Sequence, residues 1–431
     1  MPISLADLTD QVRDTPRLVQ FGRVLTVAAE RITALGLDRT VELGTLVGWE
    51  GGRGEVVALE DGAAIISPHG NVAGLRPGMP LRPLPDPGRA PHDGWLGRVV
   101  DAFGQPLDGA PLAPGVPRED QGAPHPLSRR ALGFRLDTGV PALDTMLPLV
   151  RGQRMGLFAG SGVGKSRLLL DLARNVQADV VIFALLGERG RDLKIMLDEG
   201  LAPVRDRSVA VVASSDRPAL ERRRALETAL RAAEHFRDRG AHVLLLVDSL
   251  TRFAEAHREV ALASGEAASL RGHPPSTPHR LASLVERMGP GIGSAGDITA
   301  VMTALVAGSD MEEPVADMVR GLLDGHIVLD RDIAERGRFP AIDVETSVSR
   351  ALPDAATPEE NILIREVRHL MARAAEVEPL RRAGLYEAGT DPERDRAVAL
   401  SPVLDTFFGR RDLKSAESSF QALAAIVAKR S

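Results

Sequence analysis

The chain has 431 residues, of which 44% are hydrophobic, 26% charged and 3% aromatic, with a formal net charge of −6 and no cysteine. That length leaves room for about three domains with sizeable cores, and the lack of cysteine excludes disulfides, thiol nucleophiles and cysteine-ligated zinc. The acidic balance and scarce aromatic rings argue against broad electrostatic or stacking contacts with nucleic acid, and no apolar run approaches the ~18 residues of a membrane-spanning helix.

Residues 1–20 mix Asp and Arg among leucines, without the basic start and apolar stretch of a secretory signal; a cytoplasmic protein is expected. Leu5, Leu8, Val12 and Leu18 stand at near-helical spacing, which suits either a partner-binding helix or a frayed surface helix. From 21 to 90, short β-rich runs (23–28, 39–47, 54–59, 63–66) alternate with turn signals such as Glu60-Asp61-Gly62 and Pro77-Gly78. They predict a small β-barrel or sandwich, and the modest size favours a barrel of about six strands. A Pro-rich stretch at 110–126 reads as a linker or surface loop.

Within 91–352, apolar runs at 154–159, 180–186, 209–213, 242–247 and 298–306 alternate with helical segments, the pattern of an α/β domain around a mainly parallel sheet. The region 353–431 reads as helical. Thr357-Pro358-Glu359-Glu360 is a capping box with proline at the first helical position, and Asp391-Pro392 repeats that kind of start. Leu413, Ala416, Phe420, Leu423, Ala424 and Val427 fall on one face of a final helix.

The chemistry concentrates in the α/β region. Ala159-Gly160-Ser161-Gly162-Val163-Gly164-Lys165-Ser166 follows a predicted strand and opens a predicted helix, the context of a phosphate-binding P-loop. Its glycines let successive N–H groups converge on phosphate oxygens at the positive end of a helix. Lys165 would reach the β- and γ-phosphates of ATP, and the Ser166 hydroxyl would ligate Mg²⁺. Ala159 stands where the pattern has glycine, a tolerable change because the tightest anion contacts come from the later glycines. The run 243–247 ends in Asp248. A buried parallel strand ending in a carboxylate would place it at the sheet edge beside the P-loop, where it can hold Mg²⁺. The run 180–186 leads into Gly187-Glu188-Arg189-Gly190-Arg191. Glu188 would orient or deprotonate an attacking water, unless the segment is a surface charge cluster.

Together, residues 160–166, 187–191, Asp248-Ser249-Leu250-Thr251-Arg252 and Pro340-Ala341-Ile342-Asp343 with Ser347-Val348-Ser349-Arg350 resemble the catalytic subunits of rotary ATP synthases and their export relatives. The segments 314–329, Gly265-Glu266 and Gly272-His273-Pro274-Pro275-Ser276 resemble the flagellum-specific export ATPases of type III secretion. The resemblance spans about residues 20–408. It implies a homohexamer with an N-terminal β-barrel, a RecA-like core and a helical C-terminal domain. It also implies that Glu188 polarises the attacking water, that Arg189 lies near the γ-phosphate, and that Arg350 is an arginine finger into the neighbouring subunit's site. Phe339 would face the adenine ring, or else be a core aromatic ahead of Pro340. A loop from Arg271 to Pro278 would face a stalk-like protein in the central pore. Thr277-Pro278-His279-Arg280 and Gly308-Ser309-Asp310 depart from the commonest family spellings. The further partners implied are a regulatory stator-like protein at the leader, export chaperones with their substrates, and an export gate at the inner face of the membrane.

The virulence-type injectisome ATPases share nearly all of these motifs; the spelling Ser161-Gly162-Val163 favours the flagellar branch. A rotary ATP synthase subunit would carry an acidic Asp-Glu-Leu-Ser-Glu-Glu-Asp helix, where this chain has Arg365-Glu366-Val367-Arg368-His369. A hexameric RNA helicase would need exposed aromatics on its β module, and only Phe21 and Trp49 are on offer. A non-catalytic nucleotide-binding scaffold would not need Lys165, Glu188, Asp248 and Arg350 together.

Overall fold

The computed structural model describes residues 21–85, 88–116, 122–269, 272–306 and 311–428. The leader at 1–20, Arg271 of the expected pore loop and Gly308-Ser309-Asp310 lie outside the described residues.

Six short strands close into a barrel in the order β1-β2-β5-β4-β3-β6: β1 (Gly22–Val27), β2 (Ile32–Leu35), β3 (Leu46–Trp49), β4 (Gly52–Glu60), β5 (Ala63–Pro68) and β6 (Pro80–Leu84). Alternation points Val24, Ile32, Ala34, Val47, Val56, Ala64, Ile66 and Leu81 inward, where they form one apolar cluster. Gly54 permits the close approach of β4 and β5, since a Cβ there would stand 2.6 Å from the Ser67 carbonyl oxygen. The strand expected at 39–47 begins only at Leu46, because the Thr40 and Val41 N–H groups both turn back to the Leu37 carbonyl. β2 and β6 are four and five residues long, too short for periodicity to reveal. The barrel, with residues 218–220 and 256–274, forms one compact unit, and the other described residues form a second.

The second unit is built on a nine-stranded sheet ordered β15-β14-β8-β13-β11-β9-β10-β7, with a short β12 paired to β13. Its strands are β7 (Val99–Val100), β8 (Arg154–Ala159), β9 (Val180–Leu186), β10 (Ser208–Ala213), β11 (His242–Asp248), β12 (Gly289–Pro290), β13 (Asp297–Leu305), β14 (Gly325–Leu329) and β15 (Ile342–Ser349). Neighbours pair in parallel except β12 with β13 and β14 with β15. β9 and β11 are buried along their whole length, which explains their unbroken apolar runs. Parallel pairing brings the C-terminal ends of β8, β13, β11 and β9 to one edge of the sheet.

After the sheet come helices Pro358–Arg382, Pro392–Phe408 and Ala416–Val427. Thr357 and Glu360 close the capping box at the start of the first, and Asp391 caps the second. Phe407, Phe408, Phe420, Leu423 and Val427 join the same apolar cluster as Leu143, Met146 and Leu168, so these helices share the core of the sheet. Polar ties fix their docking: Arg135 grips Glu360 through two hydrogen bonds of 2.9 and 3.0 Å. Ala424, assigned to the inward face by spacing, is exposed; buried Ser419 instead turns inward and donates to Asp144 at 3.3 Å. Among the described residues no helix is long and apolar enough to cross a membrane.

Candidate functional site

β8 delivers the chain into the 160–164 loop, which turns into the helix Lys165–Asn175. Gly162 and Gly164 have φ of +82° and +95°, left-handed values that favour glycine. Val163 is buried and anchors the loop in the core below. Gly164 occupies the N-cap position and no side chain caps the helix, so its first N–H groups are left for an anion. Ser166 is exposed in the first turn. The ring of Phe339 lies over the loop, since a Cβ on Gly164 would be 3.4 Å from its Cδ1. With 43% of its surface exposed, Phe339 is not a core aromatic.

Lys165, Asp248 and Glu188 converge on the same edge. Lys165 Nζ donates to Asp248 Oδ1 at 2.5 Å and stands 3.7 Å from Glu188 Oε1. Asp248, at the end of β11, is fully buried, and its Oδ1 also accepts from the hydroxyl of buried Thr303 at 2.8 Å. Its Oδ2 is buried with no hydrogen-bond partner. An orphaned carboxylate oxygen on the edge that bears Ser166 fits a divalent cation. Among the described residues no three His, Cys, Asp or Glu side chains converge as a metal cage, and Mg²⁺ is ordinarily held by one or two carboxylates plus substrate phosphates.

Glu188 follows β9. Gly187 ahead of it has φ +69°, and the stem of Arg252 packs on that glycine, with a Cβ there 3.2 Å from Cγ and Cδ. Burial raises the Glu188 carboxyl above the usual carboxylate range; the negative charge of Asp248 adds to this, while Lys165 and Arg252 oppose it. With Oε1 3.7 Å from Lys165 Nζ and its side chain mostly buried, Glu188 is turned into the site and does not belong to a surface charge cluster. Arg189 occupies the N-cap position of the helix Gly190–Ile195 without a side-chain capping bond and is exposed.

Arg350 is not part of this gathering. It follows β15, which runs antiparallel to β14, so Ser349 pairs with Gly325 while Leu329 pairs with Ala159 at the P-loop end. Four strand residues at ~3.3 Å each put Arg350 at least ~13 Å from the loop along the sheet. It is exposed, with its N–H donating to the Asp324 carbonyl at 3.0 Å. The expected loop from Arg271 to Pro278 is shorter than expected: Ser276, Thr277 and Pro278 already belong to the helix Ser276–Glu286, whose first turn tolerates proline because its N–H would be unpaired anyway.

Two residues at the site carried no assigned role in the sequence. Arg252 was visible only as part of a motif. Thr303 sits on β13, which lies between β8 and β11; the one available signal was a hydroxyl inside the apolar run 298–306.

A glycine loop opening a helix, a lysine paired to a strand-end aspartate and an acidic residue just past the end of the adjacent strand define a P-loop nucleotide-hydrolysing site on a RecA-like sheet. The pattern of the ATP synthase alpha/beta family nucleotide-binding domain matches residues 139–349, and that of the T3SS EscN ATPase C-terminal domain matches 356–425. The chain is 44% identical over 385 residues to the flagellum-specific ATP synthase of Caulobacter vibrioides, covering 86% of this chain and 87% of that protein. It is 45% identical over 370 residues to the type 3 secretion system ATPase of Pseudomonas syringae pv. syringae, covering 84% and 82%. The assembled ATPase EscN of the enteropathogenic E. coli type III secretion system superposes with a TM-score of 0.88 at 38% identity, over 94% of this chain and all of that one. EscN in complex with its central stalk EscO gives 0.83 at the same identity and coverage. The chain belongs to the ATP synthase α/β family, in the branch of flagellar and type III secretion ATPases, and is a P-loop ATPase.

Proposed function

We propose that this chain is the Mg-ATP-hydrolysing subunit of a homohexameric ring that powers flagellar type III protein export. One observation carries the reading: Lys165, Glu188 and Asp248 meet on one edge of the sheet, while Arg350 stands at the other end of its own sheet. An arginine so placed cannot serve its own P-loop, but it can complete the site of an adjacent copy.

In that site the 160–166 loop cradles the phosphates, Lys165 leaves Asp248 for the β- and γ-oxygens, and Phe339 flanks the adenine. Ser166 and the free oxygen of Asp248 would hold Mg²⁺, whose charge, when it is bound, neutralises that of the phosphates. Glu188 orients the water and accepts its proton as the water oxygen bonds to the γ-phosphorus and the bond to the β–γ bridging oxygen breaks, leaving ADP and phosphate. Arg189 and the neighbour's copy of Arg350 stabilise charge on the transferring group, a contribution worth about 10³–10⁵ in rate for an arginine finger.

The turnover would be spent on releasing export substrates from their chaperones and delivering them to a membrane gate. The ring would lie in the cytoplasm against the inner face of the export apparatus, with a stalk-like protein in its pore and a regulatory stator-like protein at residues 1–20. Nucleic acid is not a partner in this reading. An injectisome ATPase is the second reading, favoured by the 45% identity to the Pseudomonas syringae protein; the Ser161-Gly162-Val163 spelling supports the flagellar one. The test is Mg-ATPase activity per mole across a wide range of protein concentration, for the wild type and Arg350→Ala. Specific activity should climb with concentration in the wild type and stay flat in the variant. Activity constant on dilution and indifferent to Arg350 would overturn the shared site.

A further inference from the structure

The two carboxylate oxygens of Asp248 have unlike surroundings. Oδ1 accepts from Lys165 at 2.5 Å and from Thr303 Oγ1 at 2.8 Å, while Oδ2 accepts nothing. Thr303 is wholly buried near the end of β13, between the apolar residues Met302 and Ala304. A hydroxyl in such a strand is costly unless bonded, and a valine would fill the same space, so the residue type points to the bond it makes. Two residues on, the Leu305 N–H donates to Thr251 Oγ1 at 2.8 Å. The end of β13 is thus tied to the Asp248–Arg252 segment at two points.

The two donors to Oδ1 differ in one respect. Bound phosphates recruit the lysine of a P-loop, whereas the threonine has nowhere else to go. We propose that Thr303 is the positioning residue for Asp248, whose hydroxyl holds Oδ1 and keeps Oδ2 turned toward the cation once Lys165 has moved to the phosphates. The proposal rests on Asp248 being the carboxylate that meets Mg²⁺. It implies that loss of the hydroxyl is masked in the nucleotide-free protein, where Lys165 still holds Asp248, and emerges only when nucleotide and metal bind together.

The experiment follows a fluorescent ADP analogue by anisotropy, first in EDTA and then through a Mg²⁺ titration, for the wild type, Thr303→Val, Thr303→Ser and Asp248→Asn. The nucleotide-free melting temperature is recorded for each. Thr303→Val should match the wild type in EDTA and in melting, yet need about 10–100-fold more Mg²⁺ for half-maximal tightening, the usual loss when a ligand's supporting hydrogen bond is removed. Thr303→Ser should restore the wild-type requirement. A Thr303→Val protein with an unchanged Mg²⁺ requirement, or a serine variant as impaired as the valine one, overturns the proposal. If Asp248→Asn also leaves the requirement unchanged, the reading of Asp248 itself has failed; if Asp248→Asn alone shifts it, only the role of Thr303 has. Should Thr303→Val not fold, Thr303→Ala takes its place in the same comparison.

Discussion

The two edges of the central sheet treat their polar groups in opposite ways. At the N-terminal edge, Asp324 receives the Arg154 backbone N–H at 2.9 Å and both Nε and Nη2 of its guanidinium at 3.0 Å. Asp297 is shared by Arg130 at 2.6 Å and Arg151 at 2.5 Å. His242 bonds through both ring nitrogens, to the Gln177 carbonyl at 3.1 Å and the Thr299 hydroxyl at 2.8 Å. At the C-terminal edge a buried Asp248 oxygen has no partner, a buried Arg252 Nε is in the same position, and Glu188 is held above its ordinary pKa. Full pairing there would leave nothing for a ligand to complete. One edge closes the fold, and the other is left unfinished for a nucleotide.

The largest expected effects break the C-terminal edge alone. Lys165→Ala should abolish nucleotide binding, whereas Glu188→Gln should keep binding and lose about 10²–10⁴ in turnover, the range for a lost general base. Steady-state ATPase assays beside equilibrium nucleotide binding check this pair, and normal hydrolysis by Glu188→Gln would remove Glu188 from the mechanism.

Stability should respond the other way round. Asp324→Ala takes three hydrogen bonds from the partly buried Arg154, leaving its guanidinium with Glu286 at 2.9 Å, and should lower unfolding free energy by about 1.5–3 kcal/mol, the range for hydrogen bonds to charged groups. Asp248→Asn removes a charge with an unsatisfied oxygen but leaves Lys165 with Glu188 alone, 3.7 Å away, so it should cost less stability than Asp324→Ala while turnover is lost. Denaturant titration of both variants decides, and equal destabilisation would dissolve the contrast between the edges.

A carboxyl titration by NMR, assigned with Glu188→Gln, sharpens the same point. Glu188 in the nucleotide-free protein should titrate above the ordinary glutamate value of about 4.3. Lys165→Met should raise it further and Asp248→Asn should lower it, because those neighbours act with opposite signs. A titration at the ordinary value, unmoved by either change, would contradict the electrostatics of the site.

The smallest effect belongs to His242, whose imidazole is held below its usual pKa by burial, with Arg151 adding to the shift. The unfolded chain takes up the proton first as pH falls. Its contribution is therefore present above about pH 6.5 and is lost below it, by at most about 1.4 kcal/mol per pH unit. His242→Gln should make the fall in melting temperature from pH 7 to 5 shallower, and an unchanged slope would assign that loss to other groups.

Much of the architecture was legible because local rules agreed with global ones. The wholly buried β9 and β11 appear as unbroken apolar runs, and the capping residues Thr357 and Asp391 announce their helices. The barrel was readable as a class but not strand by strand, since β2 and β6 are too short to show a period and 39–45 reads as strand but turns. At the site, Lys165, Ser166 and Asp248 followed from motif and spacing. Thr303 did not, because nothing local says that β13 comes to lie between β8 and β11.

The sequence by itself determined the phosphate loop, the strand-end carboxylates and the order of barrel, sheet and helices, since each depends on residues close together in the chain. Tertiary structure alone decided which oxygen of Asp248 is satisfied, that Glu188 is turned inward, and that Arg350 lies at the far end of its own sheet. Those outcomes depend on strand order and pairing direction. These are set by packing between segments tens to hundreds of residues apart, which no local pattern encodes.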